Sequence, residues 1–257
     1  MCHFSTIGKL FMRRFFVTPD AVSDEFIRIT APEDISHISK VLRMKVGDIL
    51  DISDSVRWEY NCEIIENNDE SIVLRILDKQ SFAREPEINI TLFQGVPKQG
   101  KMETIVQKNT ELGVIEIVPV FMSRCVVTDN GKYDKKVKRY NTIAQEAAKQ
   151  CKRGTIPEVL SAVDFNGMLK SLDGFDKVIF PYENEEKDTL KKVLKSFEGE
   201  DIRNIAVVIG PEGGFSDSEA QRLCESGALS ASLGKTILRT ETAGIVAVAM
   251  IMYEMEL

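Results

Sequence analysis

From residue 88 onward the chain alternates short apolar runs with amphipathic ones, and this rhythm constrains the fold more than any other feature. INITLFQG (88–95), IEIVPV (115–120), KVIFPY (177–182), IAVVIG (205–210) and ALSASLG (228–234) read as strands. Between them KMETIVQKNTELG (101–113), DKKVKRYNTIAQEAAKQCKR (134–153), EKDTLKKVLKSF (186–197), DSEAQRLCES (217–226) and TETAGIVAVAMIMYEM (240–255) read as helices. Strands separated by helices are joined by crossovers, so the expectation is an α/β domain over 88–257 on a mostly parallel sheet. Ligands of such sheets sit beyond the carboxyl ends of the strands. Segments 94–98, 181–183, 210–215 and 233–239 all leave strand ends of that kind.

The front of the chain has a different texture. RRFFV opens a strand, EDISHISKVL is helical, and KVGD turns into DILDIS. VRWEYNCEII and SIVLRIL alternate in the manner of strands around the turn ENNDE, which predicts a small β-barrel over residues 12–80. A proline among charges marks 81–87 as a linker, and residues 1–11 read as a loose extension, with Met12 able to serve as the natural start. No apolar run reaches about 18 residues without a charge, so no membrane span is expected, and the N-terminus has no signal-peptide pattern. Five scattered cysteines, odd in number and never spaced CxxC, point to reduced thiols in the cytoplasm. With His3 and His37 the only histidines, no metal site is expected, and a Ser-His-Asp triad would have to use one of the two.

Net charge is -7, yet residues 132–153 hold eight Lys/Arg against two Asp/Glu. Such asymmetry marks either a solvated helix face or a surface that meets a polyanion.

The chemistry concentrates in two loops. In IGPEGGFSDSE, Ser216 and Glu219 have capping-box spacing, so a helix starts at about Asp217. Gly210, Gly213 and Gly214 permit close approach of a ligand. Neither GK[ST] nor GxGxxG is present, and Glu212 repels phosphate where a helix start would attract it, so a ligand without phosphates fits better. In LGKTILRTETA, Thr240 can cap a helix whose body, AGIVAVAMIM, is apolar on all sides and must be buried or face another subunit. Arg239 and Glu241 in this loop either pair with each other or serve a site.

GPEGGFSDSE together with SLGKTILRTETA resembles the two hallmark loops of the bacterial 16S ribosomal RNA (uracil-N3)-methyltransferases of the RsmE type, in the SPOUT superfamily. RRFFV with HISKVLRMKVGD, KMETIVQKNTELGV and EAAKQCKRGTIP agree, so the resemblance runs from about residue 13 to the end. One departure is Gly234-Lys235-Thr236, where the family pattern has Pro/Arg-like residues after the glycine.

The resemblance implies an N-terminal PUA-like barrel, a C-terminal α/β domain with a deep trefoil knot (rare under general fold rules) and a homodimer. It implies one S-adenosylmethionine pocket walled by both loops: Gly210, Pro211, Glu212, Gly213 and Gly214 from the first, Leu233, Gly234, Ile237, Leu238 and Thr240 from the second. S-adenosylmethionine carries a sulfonium and no phosphate, which makes Glu212 tolerable. The reaction implied is methyl transfer to N3 of a uridine in the decoding region of 16S ribosomal RNA. Arg239 is the candidate for stabilising the anionic base, and Glu241 or Glu212 for orienting groups or accepting the proton. RNA backbone contacts are expected from Lys135, Lys136, Lys138, Arg139, Lys149, Lys152 and Arg153, and from Arg13, Arg14, Lys40, Arg43 and Lys45 on the barrel. A transfer-RNA ribose methylase of the same superfamily and a non-catalytic ribosome-assembly protein on the same fold are the alternatives.

Overall fold

The computed structural model describes residues 14–82, 85–98, 100–128, 131 and 133–256. The extension 1–11 and the candidate Arg13 lie outside the described residues. The chain divides into two compact units, with the boundary between residues 84 and 85.

The first unit is a five-stranded sheet of β1 (Arg14–Phe16), β2 (Phe26–Ile29), β3 (Ile49–Ser53), β4 (Trp58–Asn67) and β5 (Ile72–Ser81). Its order is β1-β3-β4-β5-β2, antiparallel except for the β1–β3 pair. Period-two alternation puts Tyr60, Cys62 and Ile64 of β4 on the core face with Leu50, Ile52, Ile72 and Leu74. β2 escaped the sequence reading because only Ile27 and Ile29 carry its apolar side. The expected helix at 33–42 is α1 (Pro32–Ser36) followed by a π-helical turn, His37–Val41, closed by the Leu42 amide donating to the His37 carbonyl at 2.8 Å. Ile35 and Ile38 are buried through this change of pitch.

The second unit holds a sheet of β6 (Asn89–Gly95), β7 (Glu116–Phe121), β8 (Glu158–Val159), β9 (Val163–Asp164), β10 (Lys177–Pro181), β11 (Asn204–Ile209) and β12 (Leu229–Ala231). Its order is β12-β10-β11-β6-β7-β8, with β9 also on β7, and every pairing is parallel. All carboxyl ends therefore share one edge. The helices are α2 (Lys101–Glu111), α3 (Tyr133–Cys151), α4 (Phe165–Ser171), α5 (Leu190–Lys195), α6 (Asp217–Glu225) and α7 (Thr240–Glu256).

The strands are apolar on both sides because both faces are covered. Along β11, Ile205, Val207 and Ile209 pack with residues of α2, α3, α5 and α7, while Ala206 and Val208 pack with residues of α4 and α6. Burying each such Val or Ile contributes about 1.5–3 kcal/mol, so the central strands are the stiffest support for the loops that leave them.

Two helices differ from expectation. α4, β8 and β9 lie in the stretch after residue 154, where no periodicity flagged them. The helix expected from 186 begins only at Leu190, because Glu185 Oε1 accepts from the amides of Lys187 and Asp188 and holds a turn there. Thr189 then caps α5 by accepting from the Lys192 amide.

Candidate functional site

The loops after β10, β11 and β12 meet at the carboxyl edge and enclose a cavity of about 550 Å³. Pro181, Tyr182 and Glu183 line it from the first, Gly210 to Phe215 from the second, and Ser232 to Thr240 from the third, with Lys101 at the start of α2. The predicted glycines earn their place sterically. A Cβ on Gly213 would stand 2.9 Å from Cβ of Arg124, and one on Gly214, whose φ is 66°, would run into the Glu183 carboxylate. The β11 loop also needs a glycine opposite it, since a Cβ on Gly95 would sit 2.5 Å from the Pro211 nitrogen.

Three anchors hold the β11 loop. The expected capping box is present: Ser216 accepts from the Glu219 amide while the Glu219 carboxylate accepts from the Ser216 amide. Glu219 is buried and also takes the amide and hydroxyl of Ser123, at 2.8 and 2.9 Å. Burial works against its charge, but these four donors outweigh it and hold its carboxyl below the ordinary range. Arg124 donates to the Gly213 carbonyl at 3.1 Å. Finally, the Thr240 hydroxyl, read from sequence as a helix cap, instead donates to the Gly210 carbonyl at 2.6 Å and accepts from Gln94 Nε2 at 2.9 Å.

Glu212 and Glu241 come together on one cation. Lys101 Nζ lies 3.1 Å from Glu212 Oε1 and 3.0 Å from Glu241 Oε2. The ion pair that sequence left open between Arg239 and Glu241 is not formed, and Arg239 makes no ion pair among the described residues while lining the cavity with an exposed side chain. Partial burial pushes both carboxyls up. It is outweighed at Glu212 by the Lys98 amide and Lys101, and at Glu241 by a backbone bond, Lys101 and Arg239, so both sit below the ordinary carboxylate range. The ion pair with Glu241, and secondarily with Glu212, raises the Lys101 ammonium. All three are therefore charged at neutral pH.

In the third loop, Gly234 has φ 131° and its carbonyl accepts from Ser232 Oγ at 3.2 Å. Ile237 is 85 % exposed at the cavity mouth, while Leu233 and Leu238 are half-buried. Glycine walls, apolar side chains and charges of both signs fit a medium-sized ligand such as S-adenosylmethionine.

Of the expected RNA contacts, Lys135, Lys136, Lys138 and Arg139 are exposed on the first turns of α3, and Lys40, Arg43 and Lys45 are exposed on the first unit. Lys149 and Lys152 are half-buried. Arg14 and Arg153 require correction. Arg14 is buried in β1 and pairs with Glu59 at 2.9 Å. Arg153 is 4 % exposed and donates to Glu85 and to the carbonyls of Thr110 and Val114. Both guanidiniums face inward and cannot reach a phosphate.

Gln94, Lys101, Ser123, Arg124 and Glu183 were missed by sequence reasoning. Only Gln94 left a signal: it is the one polar side chain facing a fully buried position near the end of the apolar strand INITLFQG. Among the described residues, no group of three or more His, Cys, Asp or Glu is placed to hold a metal ion.

Comparison with known proteins finds matches in both units. A model for an RNA methyltransferase domain matches residues 84–252, and one for an RNA methyltransferase PUA domain matches residues 29–77. The ribosomal RNA small subunit methyltransferase E of Bacillus subtilis (strain 168) is 32% identical over 253 residues, covering 96% of this chain and 98% of its own. The protein of the same name from Buchnera aphidicola subsp. Acyrthosiphon pisum (strain APS) is 31% identical, covering 91% and 90%. The crystal structure of the Neisseria gonorrhoeae ribosomal RNA small subunit methyltransferase E bound to S-adenosyl methionine superposes with TM-score 0.81 at 27% identity, covering 94% of this chain and 97% of its own.

Proposed function

Because the chain belongs to the ribosomal RNA small subunit methyltransferase E family, we propose that it transfers the methyl group of S-adenosylmethionine to N3 of a uridine in the decoding region of 16S ribosomal RNA. The observation that carries the proposal is the convergence of both glycine-bearing loops and of Arg239, which makes no ion pair among the described residues, on one cavity at the carboxyl edge of the sheet. The cofactor supplies an electrophilic methyl carbon. Gly210 to Gly214 and Leu233 to Leu238 bind and orient it, with Thr240 fixing the first of these segments through the Gly210 carbonyl.

The uracil imide is protonated at neutral pH, and each pKa unit of deprotonation costs about 1.4 kcal/mol. Arg239 offsets that cost by facing the developing anion with a cation that makes no ion pair among the described residues. Glu212 and Glu241, held ionised by backbone hydrogen bonds and by Lys101, are weak bases. They serve as orienting groups better than as proton acceptors.

The exposed cations of α3 and those at Lys40, Arg43 and Lys45 supply the phosphate contacts. The trefoil knot and the homodimer belong to the same proposal. The dimer is supported by α7, where Val246, Ala249, Met250 and Tyr253 form a partly exposed stripe at helical spacing on an otherwise apolar helix. No helix of the described residues is long and apolar enough to cross a membrane. A ribosomal RNA substrate in the small subunit places the proposed reaction in the cytoplasm.

Mass spectrometry of 16S RNA incubated with purified protein and S-adenosylmethionine tests this directly. A methyl at uridine N3 is expected, and recovery of unmodified RNA, or of a ribose methyl, overturns the proposal. Calorimetry separates off the non-catalytic alternative, which predicts no binding of S-adenosylmethionine.

A further inference from the structure

Lys101 follows the left-handed Gly100 (φ 88°) and opens α2. Its ammonium joins residues 101, 212 and 241, three segments far apart in sequence. The same connection grips Glu212 a second time, since the Lys98 amide donates to Glu212 Oε1 at 2.9 Å. Glu212 Oε2 and Glu241 Oε2 are both buried and accept no hydrogen bond among the described residues, although Lys101 Nζ lies 3.0 Å from the latter. An acceptor in that state beside a cavity is ready for a donor on a ligand.

Fold stability does not account for this arrangement. The side chains of Lys101, Glu212 and Glu241 keep 28%, 20% and 19% of their exposure, and ion pairs of that kind contribute little to folding. What the ammonium does is fix the β11 loop and the first turn of α7 to each other, and reduce the charge of two adjacent carboxylates from two negative charges to one.

We propose that Lys101 is the positioning residue of the cofactor site: it locks Glu212 and Glu241 across the two glycine loops and sets the negative charge that the pocket presents to the cofactor. This rests on the reading of the cavity as the S-adenosylmethionine site. Two effects follow when Lys101 is replaced by an uncharged side chain. The loops lose their common tie, which weakens any ligand that spans them. The carboxylates lose their counter-charge, which favours the cationic sulfonium over the neutral thioether of S-adenosylhomocysteine. Glu212, Glu183, Lys235 and Arg239 face the cavity, whereas Glu241 stands behind its lining, in contact with Lys101; the substitution leaves all five in place.

Calorimetric titration of the full-length protein with S-adenosylmethionine and with S-adenosylhomocysteine, alongside steady-state methylation of 16S RNA, reads both effects. For Lys101→Met, the Kd of S-adenosylmethionine should rise by roughly ten-fold and that of S-adenosylhomocysteine by roughly three-fold more, as expected when one charge is removed from a partly screened site. KM for the cofactor should rise more than kcat falls, Tm should stay within about 2 °C, and Lys101→Arg should restore binding to within about three-fold. Binding of both ligands within two-fold of the parent protein (roughly the resolution of the measurement) overturns the proposal, and so does equal weakening of the two. A parent protein that binds neither ligand removes the reading of the cavity itself, a failure distinct from an unaltered Lys101→Met variant of a protein that binds both.

Discussion

Gln94 Nε2 donates to Thr240 Oγ1 at 2.9 Å, and Thr240 Oγ1 in turn donates to the Gly210 carbonyl at 2.6 Å. A side chain at the end of the central strand thereby fixes the start of the last helix and the start of the glycine loop at once. Both side chains are buried, so neither bond competes with water. Thr240→Val keeps the shape and removes the donor and the acceptor together. It should cost about 1–3 kcal/mol of unfolding free energy through the Gly210 carbonyl and one Gln94 N–H left without a partner, the other N–H keeping the Gly95 carbonyl. It should also weaken S-adenosylmethionine measurably, whereas Thr240→Ser should do neither. Urea titration and calorimetry on the three proteins decide it.

Arg239 lines the cavity without a carboxylate partner among the described residues. Arg239→Ala should lower the methylation rate by roughly 10²–10³-fold, the range for loss of one preorganised electrostatic group, while changing cofactor affinity far less. Single-turnover methylation beside calorimetry checks this, and an unaltered rate would remove Arg239 from the chemistry.

Arg153 and Glu85 form a buried pair with Nη2 to Oε2 at 2.7 Å, and Glu85 also accepts from the amides of Gly154 and Thr155. Arg153→Ala leaves that carboxylate uncompensated and should destabilise the protein by about 3–5 kcal/mol. The salt dependence of RNA binding should be unchanged, because the guanidinium never reaches solvent. Denaturation curves and a salt series on RNA affinity measure the two halves separately.

Acid stability follows from the same pair. Burial pushes the Glu85 carboxyl up, but Arg153 and Thr155 outweigh it and hold its folded pKa below the ordinary value. A depressed folded pKa stabilises above the unfolded pKa and is lost as pH falls through the folded one. The parent protein should therefore lose stability on acidification below the ordinary carboxylate range, and Glu85→Gln, less stable at neutral pH, should show a shallower decline there. Equal slopes for the two in pH-dependent melting would refute the linkage.

Lys135 and Lys138 are exposed on the first turns of α3. Replacing both with Glu should weaken RNA binding uniformly across sequences and reduce the slope of log K against log salt by about 1–2. Filter binding across a salt series at fixed protein is the measurement, and an unchanged slope would leave α3 a solvated face.

The parts of this protein that were legible share one property: their signal is local. The strand–helix rhythm after residue 88 and the Ser216–Glu219 capping box depend on neighbours a few residues away, so pattern and spacing carry them. The glycines were legible as residue types, but what excludes a side chain at Gly213 and Gly214 is Arg124 and Glu183, far off in the chain. Charge was legible only as a count. The basic run at 132–153 was correct in sign, but Arg153 belongs to a buried pair with a residue 68 positions away, and Arg14 to one with Glu59. Nothing local separates a buried arginine from a solvated one. The shortest elements, such as β8 and β9 with two residues each, are held by pairing with β7 and carry no periodicity of their own.

By itself the sequence determined that the second unit is a parallel α/β domain and that two glycine-bearing loops leave its strand ends, and Glu212 in the first of them set the expectation of a ligand without phosphate. Only the tertiary structure decided what Glu212 and Glu241 are for. β6, β11 and β12 converge at one edge, which brings Lys101 between two carboxylates that begin 29 residues apart from each other in the chain and more than 100 from the lysine. Coulomb attraction acts through space and is indifferent to sequence separation, so a pair of candidate bases became a charged clamp once the sheet was assembled.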